Sequence, residues 1–102
     1  MALLNIDTVI RETIHILKET ANGGGVEIMS YKRNRTIAVI VINKEQCTIR
    51  EKGYLDEEEL VYINMLHKNL KKRIKREFPR SRKLRLVKFA QTNELERLHQ
   101  KI

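Results

Sequence analysis

The first 21 residues carry an apolar pattern with helical spacing. Six apolar side chains recur so that they share one face of a helix: Ile6, Val9, Ile10, Ile14, Leu17 and Ala21. Asn5 or Asp7 can cap its start, and Asn22-Gly23 supplies a stop at its end. The pattern therefore predicts an amphipathic helix over residues 5–21.

The next three segments are typical of β-strands. Residues 26–32 are amphipathic, and residues 36–42 join a threonine to six apolar, mostly β-branched residues. A run of this second kind suits a strand covered on both faces. Residues 46–52 predict a more polar third strand, and the two connections are short enough for hairpins. We therefore expect an antiparallel meander with residues 36–42 at its centre.

A second helix is predicted over residues 56–78. Asp56 suits the N-cap, Glu59 the N3 position, and Leu55 and Leu60 the hydrophobic-staple positions. Pro79 ends the helix. The predicted apolar stripe consists of Leu60, Ile63, Leu66, His67, Leu70, Ile74 and Phe78.

Residues 83–90 predict a fourth strand, and the residues after it predict a short last helix carrying Leu95, Leu98 and Ile102. The element order is then α-β-β-β-α-β-α. This order predicts one α+β domain over residues 1–102, in which a three-stranded antiparallel meander gains a fourth strand and the helices pack on the sheet.

The excess of positive charge is confined to one part of the chain. The formal net charge is +8, yet residues 65–90 alone carry eleven Lys or Arg against one acid, a net of +10, and the rest carries −2. Such asymmetry is typical of a polyanion-binding surface, and the plain alternative is a solvated basic face that maintains solubility.

The second helix directs most of its cations away from the apolar stripe, with Arg73 at the edge of that stripe. The outward cations are Lys68, Lys71, Lys72, Lys75 and Arg76. A ladder of this kind can follow a phosphate backbone, because phosphate contacts supply most of the non-specific affinity for nucleic acid. We take these five residues as the principal candidate contacts.

Further cations lie near the first hairpin and the fourth strand. Arg33 and Arg35 flank Asn34 in the connection between the first two strands, and Arg82 and Arg85 lie before and within the fourth strand. We take these four arginines as auxiliary contacts. The few aromatic residues favour contacts to a backbone or duplex over stacking on bases.

Several other kinds of chemistry find no support in the pattern. Gly23-Gly24-Gly25 follows a predicted helix and opens a strand, the reverse of a phosphate-binding loop. The three histidines are scattered, with His67 expected to pack on the apolar stripe, and Cys47 is expected to be a small core residue. We therefore predict no catalytic residues, no metal site and no cofactor.

The single cysteine excludes an intramolecular disulfide and fits a reducing compartment. The N-terminal residues lack the pattern of a secretory signal, and the longest apolar run, residues 37–42, is too short to span a bilayer. We therefore expect a cytoplasmic protein without a membrane partner.

The element order resembles that of three nucleic-acid-binding groups. In double-stranded-RNA-binding domains the loop between the first two strands contacts the duplex, and residues 32–35 occupy that place here. The RNase P protein subunit has a basic helix to which residues 68–76 are similar. The restriction-endonuclease-like nucleases share an αβββαβ core and hold Mg²⁺ with acids on two strands. Each resemblance is one of element order.

The sequence thus favours a small, non-enzymatic protein that binds DNA or RNA through backbone phosphates. One alternative is a protein-interaction module, whose basic face meets an acidic protein or which forms a homodimer. A weaker alternative is a divergent nuclease that uses Glu12, Glu27 or Glu51.

Overall fold

Six antiparallel strands form one sheet in the computed structural model, which describes residues 3–30, 35–53, 56–78 and 83–90. In chain order the elements are β1 (Leu3–Asn5), α1 (Ile6–Glu19), β2 (Gly25–Met29), β3 (Thr36–Val41), β4 (Gln46–Lys52), β5 (Glu57–Tyr62), a 3-10 turn (Ile63–Met65), α2 (Leu66–Glu77) and β6 (Lys83–Phe89). The strand order across the sheet is β1-β6-β2-β3-β4-β5, and every neighbouring pair is antiparallel. The predicted α+β class and the meander of β2, β3 and β4 are confirmed.

The first helix is capped by Asn5, one of the two residues predicted for this role. The side chain of Asn5 accepts a hydrogen bond from the backbone N–H of Thr8 at 2.9 Å, which satisfies one of the free donors at the start of α1. The helix ends at Glu19, two residues earlier than expected. Strand β1, directly before the cap, was not predicted, because three residues are too few to show an alternating pattern.

Strand β3 lies in the interior of the sheet, and all six of its side chains are buried. Ile37, Val39 and Val41 belong to the main core, whereas Ala38 and Ile40 pack with Phe89 on the opposite face. The prediction of a central strand covered on both faces is confirmed for residues 37–41. Ile42 follows the strand and is exposed.

Both helices pack against the same face of the sheet. Helix α1 contacts β1, β2 and β6, and α2 contacts α1 and β3, so that each helix covers about half of the sheet. The apolar side of α2, formed by Leu66, Leu70 and Ile74, is buried in the same core as Ile10 and Ile28. This leaves the outer side of the helix layer open to solvent.

The predicted start of the second helix is wrong. Residues 57–62 form β5, and the helix begins at Leu66, so that Asp56 and Glu59 do not form a capping box. Strand β5 pairs with β4 over six residue pairs, which satisfies the backbone groups along one side of β4. Glu57 and Glu59 also form ion pairs with Arg73 of α2. These non-local contacts outweigh a favourable local capping signal.

Strand β6 confirms the fourth predicted strand, which lies between β1 and β2 and runs antiparallel to both. The predicted last helix, with Leu95, Leu98 and Ile102, lies outside the described residues. No helix in the described part of the chain is long and apolar enough to cross a membrane.

Candidate nucleic-acid interface

Helix α2 carries the candidate site because its two sides differ sharply in character. Its inner side is held in the core, and its outer side is occupied by lysines. The side chains of four of them are exposed: Lys68, Lys71, Lys72 and Lys75. No hydrogen bond or ion pair involves these four lysines within residues 3–30, 35–53, 56–78 and 83–90. Their ammonium groups are therefore available to a ligand.

The two arginines of α2 are used differently. Arg73 is buried, and its guanidinium lies 2.9 Å from a carboxylate oxygen of Glu51, 3.0 Å from Glu59 and 3.4 Å from Glu57. The sequence placed Arg73 only at the edge of the apolar stripe. The structure makes it the link between α2 and both strands at this side of the sheet.

Arg76 takes part in the same network. Its guanidinium lies 2.8 Å from Glu51 and 3.4 Å from Glu57, and 30% of its side chain is exposed. Most of its charge is thus balanced by carboxylates of the protein itself. Of the five principal candidates, Arg76 is the one whose cation has partners among the described residues.

Glu51 is the centre of this network, and its side chain is fully buried. Burial raises the pKa of the carboxyl group, but hydrogen bonds with Arg76, Glu77 and Arg73 outweigh burial, so that the pKa lies below its ordinary value. The same contact with Glu51 raises the pKa of Arg76. Glu51 is therefore ionised near neutral pH and can balance the two guanidinium groups.

Arg35 stands at the C-terminal end of α2. Its guanidinium donates a hydrogen bond of 3.0 Å to the backbone carbonyl of Glu77, where a helix leaves carbonyls without intrahelical donors. Gly53 lies beside this contact with a positive φ of 151°, and a Cβ there would come within 2.7 Å of the Glu77 carboxylate. The base of the first hairpin is thus tied to α2, and Arg35 caps the helix.

The other auxiliary candidates are not brought to this surface. Arg85 is half-buried on β6, and its register partner Met29 belongs to the sheet face that points away from the helices. Arg33 and Arg82 lie outside the described residues. Arg35 therefore lies at the end of the helix that carries the four lysines, whereas Arg85 lies on the opposite face of the sheet.

A groove between the helices was not predicted from the sequence. It has a volume of about 750 Å³ and runs from α1 to the turn between β3 and β4; its lining includes Lys18, Lys44, Glu45, Asn64 and His67. His67 was expected to be packed in the core, and it is exposed instead. The prediction failed because α2 begins at Leu66 and turns this residue towards α1.

A second hollow of about 600 Å³ adjoins the groove and shares Ile14, Lys18 and His67 with it. Arg11 and Lys18 lie seven residues apart, two turns along the polar side of α1, and this spacing is the signal that could have revealed them. Asp7 and Glu45 also line the two hollows, so the groove is less basic than the outer side of α2.

The acids considered for a nuclease are not brought together. Glu51 faces the helices and is bound to arginines, whereas Glu27 is buried on the other face of the sheet, opposite Ala38, and Glu12 is exposed on α1. Across the described ranges, no group of three or more His, Cys, Asp or Glu side chains is placed to hold a metal ion.

Comparison with protein-family models, curated proteins and solved structures gives no match for this chain.

Proposed function

We propose that this protein binds the phosphate backbone of nucleic acid through Lys68, Lys71, Lys72 and Lys75. The observation that carries the proposal is that the six cations of α2 differ in whether they form ion pairs. The two arginines are neutralised by glutamates of the sheet, whereas the four lysines project to solvent without a partner in the described structure. Cations that stabilised the fold would be expected to lie near acids, as the arginines do.

The chemistry of lysine defines the kind of contact. An ammonium group is a compact charge on a flexible chain, which suits single phosphate oxygens and reads no base pattern. The lysines span two helical turns, roughly 10 Å along the axis at 1.5 Å per residue. A duplex presents about one charge per 1.7 Å of its length, so several phosphates lie within reach of this helix. The proposed binding is therefore independent of sequence.

The surroundings of α2 extend this surface on one side only. Lys71 follows His67 by one turn on the flank that faces the groove, where Lys18 and Arg11 line the adjoining hollows. The opposite flank carries Arg76 and the acids of β5. A nucleic acid bound to α2 would therefore extend across α1 rather than over β5.

Salt dependence tests the proposal directly. Fluorescence anisotropy would measure affinity for labelled duplex DNA, duplex RNA and single strands at several salt concentrations. Neutralisation of four phosphates predicts a log–log slope of about −3.6 on duplex DNA. Only marginal binding to every probe at about 50 mM salt would refute nucleic-acid binding, because electrostatic affinity is strongest at low ionic strength. Binding of an acidic protein alone would instead favour a protein-interaction module.

A further inference from the structure

The exposed large apolar side chains of the described residues lie at one corner of the sheet. Leu60 and Tyr62 on β5 are each 56% exposed, and Met65 and Ile42 are 48% and 44% exposed. Ile42 belongs to the same corner, because its backbone N–H donates to the carbonyl of Gln46, which is paired with Tyr62. Clustered exposed apolar groups at a sheet edge mark a surface that another chain can cover.

Strand β5 also offers its backbone. It is the last strand on its side of the sheet, and no described strand pairs with its outer edge. The N–H of Ile63 donates to the carbonyl of Glu45 at 2.8 Å, so Ile63 and the residues in alternation with it, such as Val61, turn their backbone groups towards β4. Leu60 and Tyr62 therefore point their N–H and C=O groups outward.

We infer that two copies of this protein pair through β5 to form a continuous antiparallel sheet about a two-fold axis at Val61. In this register Leu60 lies opposite Tyr62 of the partner subunit, and the symmetric pair forms on the other side of the axis. The two pairs share four backbone hydrogen bonds, because both residues direct their polar groups outward. Their exposed side chains meet on the face of the sheet that carries no helix.

The acids of β5 select both the register and the partner. An axis at Glu59 would place that carboxylate opposite its own copy, and an axis at Leu60 would place Glu58 against Tyr62 of the partner subunit. Like charges directly opposite each other are destabilising, and so is an acid covered by an aromatic ring. Of these three axes, only the one at Val61 places both Leu60 and Tyr62 opposite apolar residues, which makes this segment complementary to itself, as a two-fold interface requires.

The two edge strands of the sheet differ in how they are protected against pairing with another chain. The first half of β5 is guarded by Glu57 and Glu59, which point inward to Arg73, and the opposite edge is the three-residue β1. Short edges and inward charges are common devices against edge pairing. Along the two sheet edges that the structure describes, only residues 60–62 lack such a device.

The dimer would bring together two copies of the lysine face, the outer side of α2 with Lys68, Lys71, Lys72 and Lys75. This consequence alone rests on the proposed function. Helix α2 contacts β3, and the ion pairs of Arg73 and Arg76 tie it to β4 and β5, the strands nearest the axis. A two-fold axis perpendicular to the sheet places both α2 helices on the same side, on the order of 20 Å apart at about 4.8 Å per strand. This exceeds the Debye length of about 8 Å at physiological salt, so repulsion between the two lysine faces is small. One nucleic acid can then contact both.

The interface is small, so the dimer should form only at high protein concentration. Three residue pairs bury less than the roughly 800 Å² per partner of a standard interface. We therefore expect a dissociation constant in the micromolar range or weaker.

Sedimentation velocity of the full chain tests the inference without nucleic acid. Across concentrations from about 5 µM to about 1 mM, the apparent mass should rise from 12.1 kDa towards twice that value. Leu60→Lys and Tyr62→Lys should each stay monomeric, and unchanged circular dichroism would show that the fold is kept. Ala21→Lys, an equal charge change at another exposed site, should dimerise like the wild type.

The effect of salt distinguishes this dimer from association through charged groups. Pairing through apolar groups and backbone should persist or strengthen between about 50 mM and about 500 mM salt, whereas contact between the acids of one copy and the lysines of another should weaken. A wild-type protein that is monomeric throughout, or association that is lost with salt or unaffected by Leu60→Lys, would overturn the inference. Persistent dimers that ignore nucleic acid would refute only the proposed function.

Discussion

The guanidinium of Arg73 and the carboxylate of Glu51 meet at 2.9 Å between α2 and β4, and both side chains are almost completely buried. Each group also has other partners, since Arg73 reaches Glu59 and Glu51 reaches Arg76. The basic helix is therefore anchored by its arginines, and its lysines remain available at the surface.

Glu51→Gln should destabilise the fold by about 3 kcal/mol, at the lower end of the cost of removing one partner from a buried ion pair, because Arg73 keeps Glu59. Urea unfolding measures the change. Arg50→Gln is the matched control, since its partner Glu58 is more than half exposed and such pairs contribute about 0–1 kcal/mol. Equal costs for both variants would contradict the central role of Glu51.

The stabilisation by Glu51 should depend on pH. Its pKa is lowered in the folded protein, so its contribution is complete above the ordinary value of 4.5 and is lost as the pH falls below it. The stability difference between the wild type and Glu51→Gln should therefore shrink between about pH 5 and about pH 3. Urea midpoints of both proteins across this range measure the stability difference. A difference that grew towards acid pH would mean that the pKa of Glu51 is raised in the folded protein and not lowered.

Reversing charges on α2 should weaken nucleic-acid binding with little effect on stability. Lys71→Glu/Lys72→Glu should flatten the salt slope by about 1.8, the share of two phosphates. The thermal midpoint should change little, because exposed substitutions usually cost within about 0.5 kcal/mol.

The control for this change is Lys52→Glu/Lys83→Glu, which alters the net charge equally at exposed positions on the sheet face away from the helices. Its affinity should fall only by the general effect of net charge. If both double variants lost the same affinity, binding would not be located on α2.

Gly25 should tolerate no side chain. A Cβ on Gly25 would overlap the backbone carbonyl oxygen of Val39 on the paired strand, so that the sheet would have to shift. Gly25→Ala should cost about 3 kcal/mol or more, as severe overpacking does. Gly23→Ala is the control: its φ of 91° disfavours a side chain by about 1–2 kcal/mol, but nothing lies within 4 Å. Thermal or urea unfolding should rank the two variants in this order.

Cys47 should be unreactive in the folded protein. Its thiol is completely buried in the core, and burial raises its pKa to about 11. At pH 8 roughly one thiol in a thousand is then ionised, and the thiolate is the reactive form. Ellman's reagent should react slowly with the native protein and rapidly in urea; rapid reaction in both conditions would show that the core opens readily.

Where local signals and tertiary needs agree, the sequence predicted the structure well. The six apolar residues after Thr36 predicted a strand covered on both faces, and Asn5 was one of the two residues predicted to cap α1. The excess of lysine on one side of the second helix was also visible, because helical periodicity fixes which side chains share a face.

Residues 57–62 show where local reasoning failed. Three consecutive glutamates after Asp56 favour the start of a helix. In the folded protein, however, the segment pairs with the backbone of β4 and supplies carboxylates to Arg73. Neither the strand pairing nor the ion pairs can be predicted from the segment itself, because the partners lie at a distance in sequence.

The sequence by itself therefore determined the α+β class, the central strand and the concentration of positive charge, since each follows from local periodicity and composition. Only the tertiary structure decided which cations remain free. Arg73, Arg76 and Arg35 are drawn to carboxylates and to a helix end, because a charge near the interior must be paired. The lysines of the same helix point to water, where no such pairing is required.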